Sequence, residues 1–158
     1  MVSSQAAVAE LSIYRTVEAN HGIPDLLLYA IALTESGTTL NDGQYIPWPW
    51  TLNVAGSPRY FSSRESAWRH LEYVLSQGEE LVDIGAGQVN WYWHSDKFAS
   101  TWDALDPAKN IYVAGVILND CHRQRGDWIN AVGCYHSPGN QKRAIDYTRR
   151  VYERWSNL

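Results

Sequence analysis

Pro24-Asp25-Leu26-Leu27-Leu28-Tyr29-Ala30-Ile31-Ala32-Leu33-Thr34-Glu35-Ser36-Gly37 reads as one helix. Proline suits a first helical position, and Asp25 complements the positive end of the helix dipole. Leu26 to Leu33 is apolar almost all round, which marks the helix as central and buried. Polar residues resume at Thr34.

Toward the N-terminus, the spacing predicts a helix over residues 6–20, with Val8, Leu11, Tyr14 or Arg15, and Val17 to Glu18 along one face and Gly22 ending it. On the other side, residues 41–61 read as non-helical, with Pro47, Pro49, Pro58, Gly43 and Gly56. The β-prone run Trp50 to Val54 makes this a short hairpin or an ordered loop. Ser62-Ser63-Arg64-Glu65 offers a capping box for a helix whose stripe is Ala67, Trp68, Leu71, Val74 and Leu75, stopping at Gly78. Residues 79–90 read as another loop. Asp106-Pro107 opens a helix with Ile111, Ala114, Ile117, Leu118 and Cys121 on one face, closed by Gly126. Asp127 caps a short helix through Tyr135. Ser137 to Asn140 lead into a last helix carrying Ile145, Thr148, Val151, Tyr152 and Trp155 near one face. The sum is a mainly α fold with a small β element. At 158 residues, without repeats or low-complexity tracts, the chain is expected to be a single domain over 1–158.

Composition narrows the partners. The formal charge of −4 provides no basic field for nucleic acid or an anionic membrane. No apolar run reaches the ~18 residues of a membrane span, and Met1-Val2-Ser3-Ser4-Gln5 is not a basic segment leading into an apolar one. Aromatic residues make up 13% of the chain, with eight Trp and ten Tyr, enough to fill a core and also to line a cleft. Cys121 and Cys134 suit either a disulfide closing a short loop or two buried thiols, and composition leaves both open. The five histidines show no metal-ligand spacing with Glu, and no Gly-x-Ser-x-Gly occurs. No metal or cofactor is expected.

Glu35 follows Ile31 by four residues and Leu28 by seven, which puts it on a face of the buried helix. Partial desolvation and the negative end of the helix dipole both favour a protonated carboxyl group there, one able to donate to a leaving oxygen. A solvated last-turn residue is the plainer reading of a lone Glu. Asp83 to Asn90 form a glycine-punctuated loop, where Gly85 and Ala86 let a ligand approach the backbone and Gln88 offers a donor and an acceptor. By itself it is only a turn. Tyr135, near a chain reversal, is either a core aromatic or a phenol that orients a carboxyl group.

Together, Glu35-Ser36, the Asp-Ile-Gly-x-x-Gln-Val-Asn stretch at 83–90 and the Ala-x-x-x-Tyr-His stretch at 131–136 resemble the three ordered motifs of soluble-type lytic transglycosylases. Leu105-Asp106-Pro107, Asn110-Ile111 and the Cys121/Cys134 pair are similar to the specialised members that accompany conjugation, pilus and secretion machines. Residues 45–53, Tyr-Ile-Pro-Trp-Pro-Trp-Thr-Leu-Asn, resemble an insertion in members of conjugative elements. The likeness implies a lysozyme-like (α+β type) fold, with a small hairpin or loop insertion beside an active-site cleft. It implies a glycoside-cleaving lyase that cuts the β-1,4 bond between N-acetylmuramic acid and N-acetylglucosamine in peptidoglycan, leaving 1,6-anhydro ends. Glu35 is then the acid and base, and Tyr135 the residue that orients it. Ser36, Gln88, Asn90, Gly85, Ala86, His136 and Trp50 become substrate contacts, with Trp48, Trp91 and Trp93 as further stacking candidates. Asp83 is the candidate for any second carboxylate, against a plain role as a turn former.

The resemblance also implies a Cys121–Cys134 disulfide, because an exported setting is oxidising. The protein is expected in the periplasm or cell envelope, with its export signal outside these residues. It is expected to act as a monomer on glycan strands, beside an envelope-spanning machine. Ala86-Gly87 and His136-Ser137 depart from the family pattern, which has larger apolar residues at the first pair and Asn-Ala-Gly after the tyrosine. The departures keep two rivals in view, a hydrolytic muramidase and a catalytically silent wall-binding module.

Overall fold

The computed structural model describes the backbone over residues 4–158 and side chains over 10–158. The expectations for Met1 to Ser3 and for the side chain of Val8 lie outside the described residues. The fold is mainly helical with a small amount of sheet. It divides into two compact units, residues 1–34 with 114–158 and residues 35–113.

The first unit is helical. Helix α1 spans Ser4–His21, and α2, Leu27–Ser36, begins here. Helix α2 starts three residues later than Pro24 suggests, and the reason lies in Glu18. Its carboxylate is 2% exposed and accepts from the backbone N–H of Leu26 (2.9 Å), Leu28 (2.8 Å) and Tyr29 (3.3 Å). A side chain distant in sequence thus satisfies donors that a helix start leaves open. Leu26 takes φ 64 to present its N–H, a left-handed conformation uncommon for a branched residue. Leu27, Leu28, Ala30 and Ile31 are at most 1% exposed, so the helix is buried all round as its composition requires.

Helix α6, Pro107–Arg125, contributes its later turns to this unit, followed by α7, Trp128–His136, and α8, Gln141–Trp155. Asp127 caps α7 through the N–H of Asn130 (2.7 Å) as the sequence indicates, and Asn140 caps α8 through Arg143 (3.0 Å). Helices α7 and α8 pack so closely that a Cβ on Gly133 would come within 3.0 Å of the Ala144 methyl group. The buried face of α8 corrects the predicted stripe. Tyr147 and Val151 are buried, whereas Ile145 is 61% exposed. Cys121 and Cys134 are bonded, Cα to Cα 5.8 Å, tying α6 to α7.

The second unit carries the sheets. Strands β1, Gly37–Thr39, and β2, Tyr45–Pro47, form an antiparallel hairpin. Strands β3, Thr51–Val54, β4, Ser57–Tyr60, β5, Val82–Ile84, and β6, Val89–Asn90, form an antiparallel sheet in the order β4-β3-β5-β6. Residues 41–61 therefore hold parts of two hairpins, and the segment read as a loop over 79–90 supplies two strands. Sheet pairing with β3, remote in sequence, overrode its turn-rich composition.

Helix α3 spans Arg64–Ser76. Its capping box runs from Ser63 to Ser66, one residue later than the predicted Ser62 to Glu65, because Ser66 Oγ is the group that accepts from the Ser63 N–H (3.3 Å). Short helices α4, Trp91–His94, and α5, Thr101–Ala104, were not legible in the sequence. Each is a single turn held by a local cap, Asn90 and Ser100 respectively. No helix among the described residues is long and apolar enough to cross a membrane.

Candidate active site

Glu35 lies half-buried in the last turn of α2, where the chain turns directly into β1. The end of this helix is fixed from two directions. Its terminal residue, Ser36, is fully buried, and the Ser36 hydroxyl donates to the carbonyl of Ala86 at 2.8 Å. The Ser36 carbonyl, one of the acceptors that a helix C-terminus leaves unsatisfied, accepts from the N–H of Trp48 at 3.0 Å. Ser36, the residue after Glu35, is thus tied both to the 83–90 loop and to the Trp48 segment, all within one unit.

The 83–90 segment is a tight reversal between β5 and β6. Gly85 has φ 78, and a Cβ there would overlap the Asn110 amide, at 2.5 Å from Nδ2. Only glycine satisfies both demands. Asn110 is the residue that holds the reversal, and the sequence reading gave it no role. Fully buried on α6, it donates to the carbonyls of Ile84 (2.8 Å) and Ala104 (3.0 Å) and accepts from the N–H of Gly87 (2.9 Å). The available signal was a polar residue directly before the apolar stripe that begins at Ile111, since a buried amide needs partners and often organises a loop.

The other loop residues have distinct placements. Ala86 is 3% exposed, so it offers its carbonyl to Ser36 while its methyl group points into the interior. Gln88, in a left-handed conformation with φ 48, is held through its amide nitrogen by the carbonyls of Gly85 (2.9 Å) and Thr51 (3.3 Å). Asn90 donates to the Asp83 carboxylate (2.8 Å) and caps α4 by accepting from the Trp93 N–H (3.3 Å). Asp83 and Asn90 are also directly paired across β5 and β6. Their bond thus braces the neck of the reversal.

The aromatic candidates separate as well. Trp48 donates its indole N–H to the Phe61 carbonyl (2.7 Å) and meets Trp50 edge to face at 5.6 Å. The indole N–H of Trp50 is buried without a hydrogen-bond partner. Trp91 stacks on Phe98, whereas Trp93 is 69% exposed.

Tyr135 and His136 belong to the other unit, in the last turn of α7. His136 is exposed and stacks on the buried Tyr147 ring at 4.2 Å. Tyr135 is half-buried and close enough to Tyr14 to act on it electrostatically. The Tyr14 hydroxyl is pushed well above the usual phenol range, by burial first, with Glu10, Tyr29, Tyr135 and Glu18 adding to it. Glu10, on the preceding turn of α1, is itself pushed up to about 7 by burial. Among the described residues no group of three or more His, Cys, Asp or Glu side chains is placed to hold a metal ion.

No protein-family model matches the chain, and neither a curated protein nor a solved structure matches it.

Proposed function

We propose that the protein is a lytic transglycosylase of peptidoglycan, on a lysozyme-like fold, that cleaves the β-1,4 bond after N-acetylmuramic acid with Glu35 as its acid and base. The observation that carries the proposal is the 2.8 Å bond from the Ser36 hydroxyl to the Ala86 carbonyl, which joins the first motif of the resemblance to the second. A carboxyl group beside a rigid, glycine-shaped reversal suits cleavage of a chain that must lie close to backbone.

In this reaction the Glu35 carboxyl group protonates the bridging oxygen as the bond to the muramoyl anomeric carbon breaks. The carboxylate then takes the proton of the C6 hydroxyl, whose oxygen closes onto that carbon and forms the anhydro ring. The acid is regenerated and no water is consumed. Because the nucleophile is already tethered to the sugar, a second catalytic carboxylate is unnecessary, in contrast to the pair used by most glycosidases. The engagement of Asp83 with Asn90 accords with that economy. Of the reversal residues that the motif likeness makes substrate contacts, Gly85 and Ala86 are buried and shape the backbone, and the half-buried Gln88 is the one left to meet a sugar. Tyr135 and His136 enter on the motif likeness alone. The disulfide accords with an oxidising compartment such as the periplasm, where the enzyme would open the wall locally for a conjugation, pilus or secretion apparatus.

Digestion of purified sacculi by the wild type and Glu35→Gln, with the released fragments read by mass spectrometry, tests the proposal. Anhydro-muramoyl ends from the wild type alone support it. Hydrated reducing ends would replace it with a hydrolytic muramidase, and no release from either protein would favour a silent wall-binding module.

A further inference from the structure

The face shared by α7 and α8 carries a groove of about 900 Å³ that begins at the end of α6 and runs to the middle of α8. We propose that it docks an amphipathic helix of a partner protein, one whose apolar face is flanked by carboxylates.

The groove follows from side-chain size. Its floor is Gly133 and Cys134 on α7 with Ala144 and Thr148 on α8, all buried or half-buried. The helices meet so closely there that a Cβ on Gly133 would stand 3.1 Å from the Thr148 hydroxyl, besides its approach to Ala144. Helices that meet through small residues leave the longer side chains on either side as walls. Ile129 of α7 is 58% exposed and Ile145 of α8 is 61% exposed, and both line the groove. An apolar side chain contributed by each helix to one groove is surface that a docked apolar face would cover.

Charge and shape select the occupant. Arg125 and Arg149 line the groove, and among the described residues no acidic side chain does. Neither guanidinium is paired with a carboxylate among the described residues, and Arg125 donates instead to the Pro138 carbonyl (3.0 Å). On a chain of formal charge −4 this is a local positive field, which favours a partner bearing carboxylates over one bearing cations. The lining runs from Ile129 to Ser137 along α7 and from Gln141 to Arg149 along α8. At ~1.5 Å per residue each is about 12 Å long, two turns of a third helix. An extended segment would need free backbone partners, but the backbone groups of α7 and α8 are spent within the helices, whereas a docked helix satisfies its own.

The groove is also preformed. The Cys121–Cys134 bond fixes its floor to α6, and the Arg125 bond to Pro138 ties the end of α6 to the turn between α7 and α8, so little order is lost when a helix docks. It lies wholly within the first unit, and the proposal does not rest on the transglycosylase reading.

Selection of a displayed library of random peptides against the whole chain, followed by NMR titration with the winning peptides, tests the groove. The wild type is compared with Ile145→Ser, Arg149→Gln and the control Tyr73→Ala, which removes an exposed aromatic from α3. The expected winners carry apolar residues at helical spacing flanked by Asp or Glu, and they shift the amides of Ile129, Gly133, Ile145 and Thr148. Binding should be about tenfold weaker in Ile145→Ser and in Arg149→Gln, weaker at high salt, and unchanged in Tyr73→Ala. Winners without carboxylates, equal binding by either groove variant and the wild type, shifts confined to other residues, or no winner at all would each overturn the proposal. Sedimentation of the wild type and Ile145→Ser decides the remaining occupant. A concentration-dependent dimer that Ile145→Ser abolishes would give the groove to a second copy of this chain and overturn the partner helix. Should a variant lose its folded spectrum, the wild-type shift map decides.

Discussion

The two ends of α2 use a glutamate in opposite ways. At the N-terminal end, Glu18 is 2% exposed and its carboxylate is filled by three backbone N–H groups. Burial raises its pKa above the ordinary carboxylate range, although the bonds from Leu26, Tyr29 and Leu28 pull the other way. At the C-terminal end the helix leaves carbonyl oxygens unsatisfied and no N–H donors, so Glu35 cannot cap the helix as Glu18 does. Ser36 and Trp48 hold that turn, the Ser36 hydroxyl on the Ala86 carbonyl and the Trp48 N–H on the Ser36 carbonyl, and Glu35 lies half-buried beside them in sequence. A buried carboxylate that meets helix N–H groups builds the fold. One placed at the opposite pole of the same helix is the candidate for function.

That contrast is most exposed to Glu35→Gln. On the proposed reaction this removes the acid and base, which is expected to lower turnover on sacculi by about 10²–10⁴-fold, with the thermal midpoint nearly unchanged. Retained turnover, or a large fall in the midpoint, would make the two ends alike. Glu18→Ala should do the reverse. Three helix donors would lose their acceptor in a buried site, at a cost of about 3 kcal/mol by urea unfolding, while the folded fraction keeps its turnover. Asn110→Ala sharpens the proposed catalytic end, because it removes the amide that braces the reversal. A loss of about 2 kcal/mol should be accompanied by lower turnover, and loss of stability alone would separate the loop from the reaction. Ser36→Ala leaves the Ala86 carbonyl without that donor, for about 1 kcal/mol, with a fall in turnover if the bond positions the acid.

The smallest effect concerns pH and belongs to the structural end. Burial holds the Glu10 carboxyl up to about 7 against 4.5 for the unfolded chain. Between those values the folded protein binds its proton more tightly, so this contribution is complete below pH 4.5 and is lost as pH rises toward 7. Glu10 is partly exposed, and solvent screening limits the effect to no more than about 1 kcal/mol. Urea midpoints at pH 4.5 and 7.5 should therefore differ less in Glu10→Gln than in the wild type.

Much of the helical frame was legible because its signals are local. The apolar run at Leu26 to Leu33, Asp127 as a cap, and Gly78 and Gly126 as terminators each act within a few residues. The signals failed where a partner came from far along the chain. Glu18 moved the start of α2, pairing with β3 turned a loop into two strands, and the buried face of α8 turned to Tyr147 instead of Ile145. The site divides in the same way. The motif residues could be named in order along the chain, and their order is a property of the sequence. Which of them are spent on structure is not. That Asn90 caps α4 and holds Asp83, that Gln88 turns its nitrogen into the loop, and that Asn110 braces Ile84 and Gly87 were decided only by tertiary structure. A buried polar group takes whichever partner the packing brings within hydrogen-bond distance, and no spacing rule along the chain records that choice.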